Sequence, residues 1–171
     1  MRLSIRQAAL HDIDVVSDIL REAAAWLEQS GMPLWREDEL QPNNISAEVR
    51  SGLFFLAECD GEPAGTIKFQ LEDKLFWPDV PQDDSVFIHR LAVKRRFAGG
   101  EVSSALLLWA IARTHMLGRR YLRLDYEASR PRLRVLYERI GFRFHSNRQV
   151  GSYYVARYEY DVTEISSSTQ L

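Results

Sequence analysis

The stretch from Phe87 to Leu108 constrains the fold more than any other part of the chain. An apolar strand leads into a short basic turn, then into Gly99 and Gly100, and then into a helix rich in apolar residues. This order puts the free backbone N–H groups of a helix N-terminus beside two glycines and three cationic side chains. A strand that feeds such a loop is a favourable site for a phosphate or pyrophosphate group.

Charge is distributed unevenly along the 171 residues, a length that suits one domain with a sizeable core. Residues 1–88 hold 7 cations and 17 anions, whereas residues 89–148 hold 14 cations and 4 anions. The asymmetry indicates one surface for an anion and another that tolerates a cation; chance clustering on solvated faces is the alternative. Nucleic-acid binding is only a weak alternative, because no aromatic-interleaved basic patch accompanies the basic half.

The chain shows neither a long apolar run nor a basic N-terminus followed by an apolar segment. We therefore predict no membrane span, no membrane partner and no signal peptide. Cys59 is the lone cysteine, which excludes an intramolecular disulfide and any cysteine-based zinc site. A cytoplasmic protein is the default expectation.

Helix and strand patterns alternate along the chain. Apolar residues at helical spacing predict a first helix that begins at the N-cap Asp12 and stops at Gly31, and a short second helix capped by Asn43 or Asn44. A third helix is predicted directly after Gly100, and a fourth is predicted to begin at Pro131. The predicted helices cover 13–30, 44–51, 101–117 and 131–140, the predicted strands cover 3–6, 53–59, 64–71, 86–93, 121–126, 142–144 and 152–162, and residues 72–84 are predicted as a loop.

This element order predicts a mixed α/β fold around one sheet. We assign residues 1–162 to a single domain and expect the polar, Ser-rich residues 163–171 to form a disordered tail. The aromatic closing strand from Tyr153 to Tyr160 could pair with its counterpart in a homodimer.

Two motifs together resemble the GNAT acyltransferases, which transfer an acetyl group from acetyl-CoA to an amine. They are L-A-V-x(5)-G-G-x-V-x-S-A-L-L, beginning at Leu91, and L-Y-E-R-I-G-F, beginning at Leu136. The motifs lie within residues 86–144, and the element order agrees over residues 1 to about 162. The resemblance implies a central, mostly antiparallel, twisted sheet flanked by helices. It also implies acetyl-CoA as cosubstrate and no metal.

The resemblance further implies where the cofactor binds. The strand before the loop splays from its neighbour, and backbone groups of Leu91 and Val93 contact the pantetheine arm, while the loop after them wraps the pyrophosphate. Three positions depart from the family pattern: Ala98 replaces a polar residue, Glu101 the central glycine and Ser103 the final small residue. The implied cofactor-binding residues are Leu91, Ala92, Val93, Arg95, Arg96, Phe97, Ala98, Gly99, Gly100, Glu101, Val102, Ser103, Arg130 and Arg132.

Glu101 is the departure with the largest physical consequence. A carboxylate close to a pyrophosphate is repelled by about 1 kcal/mol at ~4 Å in water. Either the side chain turns away or the glycine pair supplies the close backbone approach one step earlier, with Arg95 and Arg96 offsetting the charge. A GNAT-fold module that binds CoA or another phosphorylated ligand without turnover is therefore the alternative to an enzyme.

Tyr137 matches the position of the tyrosine that protonates the leaving CoA thiolate in the family. A phenol with an ordinary pKa near 10 suits this task, because a thiolate leaving group is stabilised by an O–H donor. The alternative is that Tyr137 only packs within the apolar stripe of its helix. Seven residues earlier, Arg130 stands where the family often has an asparagine.

His89 is our first choice for the general base that deprotonates the amine. It lies two residues before Leu91, where family members often carry a glutamate, and an imidazole titrates in the useful pH range. A purely structural histidine is the alternative. Asp84, Asp125 and Glu127 are lesser candidates.

The acceptor site is expected around the first two helices and the hairpin. Trp35 matches a place where the family often presents an aromatic residue to the acceptor, and the acids from Glu37 to Glu39 beside it could attract an ammonium group. Phe76 and Trp77 could form another wall. We expect an N-acetyltransferase that acts on the amine of a small-molecule or amino-acid-like acceptor by direct attack in a ternary complex.

Overall fold

The computed structural model describes residues 1–167 as a mixed α/β fold. These residues form seven strands and four α-helices, and short 3₁₀ helices lie between some of them. The strands are β1 (Leu3–Gln7), β2 (Phe54–Cys59), β3 (Glu62–Gln70), β4 (Ser85–Val93), β5 (Tyr121–Glu127), β6 (Arg143–Val150) and β7 (Tyr153–Asp161), and the helices are α1 (Ile13–Gln29), α2 (Pro42–Arg50), α3 (Val102–Met116) and α4 (Pro131–Ile140).

The strands form a sheet in the order β1-β2-β3-β4-β5-β7-β6. β4 and β5 run parallel, whereas β1–β2, β2–β3, β5–β7 and β6–β7 are antiparallel pairs. The mixed α/β class and the mostly antiparallel sheet are thereby confirmed. Within residues 1–167, no helix combines the length and the apolar character needed to cross a bilayer.

The described chain falls into two compact units. The first unit comprises Met1–Lys68 and Arg90–Leu106, and the second comprises Phe69–His89 and the chain from Leu107 onward. The single domain over residues 1–162 stays a prediction. The 3₁₀ helix Val162–Ser167 begins the segment expected to be a disordered tail, and residues 168–171 lie outside the described residues.

The core of the first unit is built by the apolar face of α1 and by α2. Ile19, Leu20, Ile45 and Val49 pack with buried residues of β2. At Gly65, a Cβ atom would lie 2.9 Å from Val102 Cγ1, so only glycine lets the N-terminus of α3 approach β3 this closely. This close approach fixes the start of α3, where the predicted phosphate loop ends.

Two predicted element boundaries need correction. α2 begins at Pro42 with Gln41 as its N-cap, not at the predicted cap Asn43 or Asn44, because proline is well suited to the first helical turn. The Asn44 amide instead donates to the backbone carbonyl of Asp38. β6 covers Arg143–Val150, not 142–144: most of its side chains are exposed and polar, so apolar alternation does not reveal it.

The loop of residues 71–84 is held firmly within the second unit. The fully buried Trp77 ring lies under two guanidinium groups, with Arg157 Cζ 4.6 Å and Arg123 Cζ 5.3 Å from its centroid. Arg157 also forms a bidentate ion pair with Asp79, at 2.7 and 3.0 Å. Gln82 accepts the backbone N–H of residue 73 and donates to the carbonyl oxygens of residues 77 and 80. These contacts hold the loop in one conformation although it has no regular secondary structure.

Candidate active site

The predicted phosphate loop lies in the first unit. After β4, a 3₁₀ turn at Arg95–Phe97 leads to exposed residues 98–101, and α3 begins at Val102. Gly99 has φ of +77°, a left-handed conformation that favours glycine. The backbone carbonyl of Glu101 accepts the N–H of Ala105, at 2.9 Å, which places Glu101 at the N-terminal boundary of α3 with its side chain exposed. The first N–H groups of the helix are available to an anion.

The cations predicted to assist this loop have other partners. The Arg95 guanidinium stacks on Trp26, with Cζ 3.7 Å from the ring centroid, and Arg96 pairs with Glu62 at 2.7 Å. In the second unit, Arg130 pairs with Glu127 at 3.1 Å, whereas Arg132 is exposed. Phosphate contacts by these four arginines therefore stay predictions, and Arg96 and Arg130 would share their guanidinium groups between a carboxylate and a phosphate.

The residues of the strand segment before the loop are buried or half-buried. Ala92 is buried, while Leu91 and Val93 are half-buried. The N–H of Lys94 donates to the carbonyl oxygen of Ala64, at 2.8 Å, and so ties the end of β4 to β3. Phe97 and Ser103 are also half-buried, and the Cβ that Gly100 lacks would stand 3.4 Å from the carbonyl oxygen of Phe97.

His89 forms a close pair with Asp73 in the second unit. His89 Nε2 lies 2.8 Å from Asp73 Oδ2, and the Asp73 side chain is 4% exposed. The other oxygen, Oδ1, accepts the backbone N–H groups of Leu75 and Phe76, at 3.2 and 2.9 Å. Burial by itself would raise the pKa of Asp73, but the His89 hydrogen bond and these N–H donors outweigh it and hold the pKa below its usual value. The ionised Asp73 therefore orients the imidazole.

Asp125 faces the opposite nitrogen of the same imidazole. Asp125 Oδ2 lies 4.0 Å from His89 Nδ1, and the Asp125 side chain is 7% exposed. Within residues 1–167, this buried oxygen has no hydrogen-bond partner. Burial raises the pKa of Asp125 from 3.8 to about 6, and the nearby Asp73 adds to the rise while His89 opposes it. Asp125 is therefore mostly ionised at pH 7 but close to its titration range.

Asp73, His89 and Asp125 also have the composition of a metal site. One ligand atom from each lies within 4.8 Å of the other two. However, the Asp73–His89 pair is already closed at hydrogen-bond distance, and a metal bound through Nε2 would have to break it. The described contacts favour a hydrogen-bonded dyad with an adjacent carboxylate, and the absence of a metal stays a prediction.

Tyr137 lies on α4 within an aromatic cluster of the second unit. Its ring centroid is 5.5 Å from that of Tyr126 and 5.9 Å from that of Phe142. Burial raises the pKa of Tyr137, and the negative charge of Asp125 raises it further. The packing interpretation is therefore correct as far as the ring goes. The phenol keeps its proton at neutral pH, so the hydroxyl is an O–H donor.

Trp35, the predicted acceptor contact, is half-buried and packs against the core of the first unit. Arg90 Cζ lies 5.3 Å from the Trp35 ring centroid. Phe76 is half-buried, with its ring 6.0 Å from the His89 ring. Trp77 is fully buried, so it packs in the interior of its unit and does not form a wall open to an acceptor.

The lesser base candidates differ in their surroundings. Asp84 accepts the Ser85 hydroxyl at 2.7 Å, and Glu127 pairs with Arg130, so both carboxylates already have partners. Only Asp125 combines burial with an unpartnered oxygen in the described part of the chain. Sequence analysis did not find Asp73 at all, because no spacing rule relates a loop acid to a strand histidine sixteen residues later.

Comparison of the chain with known protein families identifies one family that matches most of its length. The model of the acetyltransferase (GNAT) family matches residues 16–142 of the chain. The chain belongs to the GNAT family. Membership supports an acyltransferase that uses acetyl-CoA, and it confirms the resemblance inferred from the two motifs.

Individual relatives match most of the chain. The uncharacterized N-acetyltransferase YesJ of Bacillus subtilis is 28% identical over 145 residues, which cover 80% of this chain and 79% of YesJ. A GNAT acetyltransferase from Listeria monocytogenes superposes with a TM-score of 0.78 at 24% identity and covers 93% of this chain and 94% of its own. The PaiA N-acetyltransferase of Thermoplasma acidophilum, solved in complex with coenzyme A, has a TM-score of 0.73 at 19% identity and covers 94% of this chain and 100% of its own.

Proposed function

We propose that this GNAT protein is an acetyl-CoA-dependent N-acetyltransferase. The acceptor is the amine of a small-molecule or amino-acid-like compound, and it attacks directly in a ternary complex. The observation that carries this proposal is the Asp73–His89–Asp125 arrangement, in which a fixed imidazole faces a buried carboxylate whose Oδ2 has no hydrogen-bond partner among the described residues. The complex of the PaiA relative with coenzyme A supports the choice of cosubstrate.

The proposed base is His89 Nδ1. Because ionised Asp73 accepts a hydrogen bond, the Nε2 nitrogen carries the proton and the lone pair is left on Nδ1. This lone pair and Asp125 Oδ2 are two acceptors 4.0 Å apart. An ammonium group fits between two such acceptors and can donate one N–H to each. His89 Nδ1 then removes one proton, and the charge of Asp125 stabilises the imidazolium that forms.

The remaining proton movements involve Tyr137. Bound acetyl-CoA supplies the thioester carbonyl, where the C–N bond forms, and the thiolate that leaves when the C–S bond breaks. The hydroxyl of Tyr137 gives its proton to that thiolate, since the buried phenol stays protonated at neutral pH. The nitrogen loses its second proton as the amide forms, and this proton replaces the one that Tyr137 gave. The proton held by His89 returns to solvent.

The cofactor loop over residues 91–103 is proposed to bind the pyrophosphate through backbone N–H groups. The exposed position of Glu101 lets its carboxylate point into solvent, and the left-handed Gly99 supplies the close backbone approach. Leu91, Ala92 and Val93 would then present strand backbone to the pantetheine arm.

Calorimetric titration with acetyl-CoA, followed by assay of free thiol with a panel of amines, tests the proposal. We expect binding, and thiol release that depends on an amine. His89→Gln should remove most of that release near neutral pH, whereas the matched variant His115→Gln, at an exposed histidine of α3, should not. Absence of acetyl-CoA binding would refute the proposal. Binding without thiol release from any amine would identify a binding module without turnover.

A further inference from the structure

Arg90 has a backbone conformation that is unusual for a strand residue. It lies within β4, yet its φ is +54°, in the left-handed region that non-glycine residues rarely occupy. Conformations of this kind cost free energy, and they cluster at ligand clamps and active sites, where the surrounding structure maintains them. The left-handed residue also interrupts the alternation of side chains along β4, as a bulge residue does.

The guanidinium group of Arg90 is held on two sides within the first unit. Arg90 Cζ lies 5.3 Å from the centroid of the Trp35 ring, and Nη2 is 3.4 Å from Glu39 Oε2. Trp35 in turn packs on the core formed by α1 and α2. An aromatic face and a carboxylate therefore fix the plane of the guanidinium, so its remaining N–H groups have a defined direction.

One nitrogen of this fixed guanidinium lacks a partner. Arg90 Nη1 is buried, although the side chain as a whole is 25% exposed, and it makes no hydrogen bond to any residue in the described part of the chain. Buried charged donors are rarely left unpaired, and each such group calls for an explanation. A guanidinium nitrogen pairs most strongly with an oxyanion such as a carboxylate.

The surrounding charges leave Arg90 only partly neutralised. Glu39, its carboxylate partner among residues 1–167, is shared with Arg36, whose Nε lies 3.3 Å from Glu39 Oε1. Asp38 pairs with the same Arg36, at 3.2 Å, and Glu37 is exposed. One carboxylate is thus divided between two arginines, and among residues 1–167 no carboxylate is hydrogen-bonded to Arg90 Nη1.

We propose that Arg90 Nη1 binds the carboxylate of the acceptor, so that the protein acetylates an amino acid rather than a simple amine. This inference rests on the proposed N-acetyltransferase function and adds the class of substrate. The residue directly follows the proposed base His89 in the chain, and an amino acid presents a carboxylate as well as an ammonium group. Trp35 contributes by holding the guanidinium and not through its own contact with the amine.

The test compares matched pairs of acceptors, each an α-amino acid, its primary amide and the amine left after removal of the carboxylate. For the wild-type protein we expect kcat/KM to favour the amino acid. Arg90→Gln should reduce that preference about 10- to 100-fold, the effect of losing a charged hydrogen bond. Arg90→Lys, which keeps the charge, should restore part of it. Arg50→Gln removes an exposed arginine of α2 in the same unit and serves as the matched control, with the preference retained.

The outcomes separate the two proposals. If no acceptor of either class releases CoA, the proposed function fails. If amines, amides and amino acids react equally well, or if Arg90→Gln leaves the preference unchanged, the function stands and the role of Arg90 is refuted. Calorimetric titration of Arg90→Gln with acetyl-CoA checks that the variant is folded. Thermal stabilisation of the CoA-bound wild-type protein by the amino acid, but not by its amide, gives a readout independent of turnover.

Discussion

Replacement of Asp125 by asparagine is expected to stabilise the protein at neutral pH while it lowers activity. The side chain is 7% exposed, and burial raises its pKa from 3.8 to about 6. Asparagine has nearly the same shape as the protonated acid and carries no charge to bury. Its amide can also donate a hydrogen bond toward His89 Nδ1, where the ionised carboxylate cannot.

The expected gain in stability follows from the pKa of Asp125 in the unfolded chain and in the folded protein. Between pH 3.8 and about 6 the unfolded chain binds fewer protons at this position than the folded one, so stability falls as pH rises through that window. At 1.36 kcal/mol per pKa unit, the loss reaches about 3 kcal/mol above pH 7. Asp125→Asn avoids this loss. The gain should therefore be about 3 kcal/mol at pH 8 and should shrink toward zero near pH 4.

Urea unfolding followed by tryptophan fluorescence, from pH 4.5 to 8, measures this difference. A gain of this size corresponds to a rise in Tm of about 6–12 °C for a chain of this length. Asp83→Asn, at an exposed carboxylate, is the control for loss of charge alone and should change stability little. A variant that is no more stable than wild type at pH 8, or whose gain is the same at every pH, would refute the reasoning.

Substitutions at four further positions probe the site and the first unit. Tyr137→Phe should lower kcat about 100-fold, with nearly unchanged acetyl-CoA affinity by calorimetry; unchanged turnover would remove its role as the acid. His89→Ala should lose activity near neutral pH and regain part of it at high pH, where the amine deprotonates itself; a pH profile like that of wild type would clear His89 of the base role. Asp73→Asn should lower kcat at least about tenfold, because the imidazole is no longer held in one tautomer, and Asp73→Glu should recover part of the loss; equal rates for all three proteins would contradict this. Asp12→Ala should cost about 1.5–3 kcal/mol at pH 7 in urea unfolding, because the hydrogen bonds from Arg6 hold the pKa of Asp12 at about 2. That difference should fade as pH drops from 4 toward 2, and a difference independent of pH would argue against the ion pair.

Local patterns predicted most of the elements. These patterns are local signals: an apolar stripe between Asp12 and Gly31, the Asp60–Gly61 turn, and Pro131 at a helix start. The structure has a helix, a hairpin of two strands and a helix at these places. Apolar alternation along the sequence did not predict the full length of β6. β6 is mostly polar and exposed, so nothing in its sequence demands a strand, and only pairing with β7 makes it one.

The sequence by itself determined the family and the identity of several candidate residues. The two GNAT motifs and the positions of His89 and Tyr137 depend on spacing along single elements, and spacing is visible in the printed chain. The tertiary structure alone decided how these residues are supported. Asp73 meets His89 in a loop that is held by Gln82 and by Arg157, a residue 78 positions beyond its partner Asp79.

The same reasoning applies to Asp125 and Arg90. An aspartate on a strand has no unusual feature in sequence; its raised pKa comes from burial and from the nearby charge of Asp73. The unpartnered nitrogen of Arg90 is defined by Trp35 and Glu39, which lie 55 and 51 residues earlier in the chain. Hydrogen bonds and desolvation depend on distances in space, and no pattern within a single helix or strand encodes contacts of that separation.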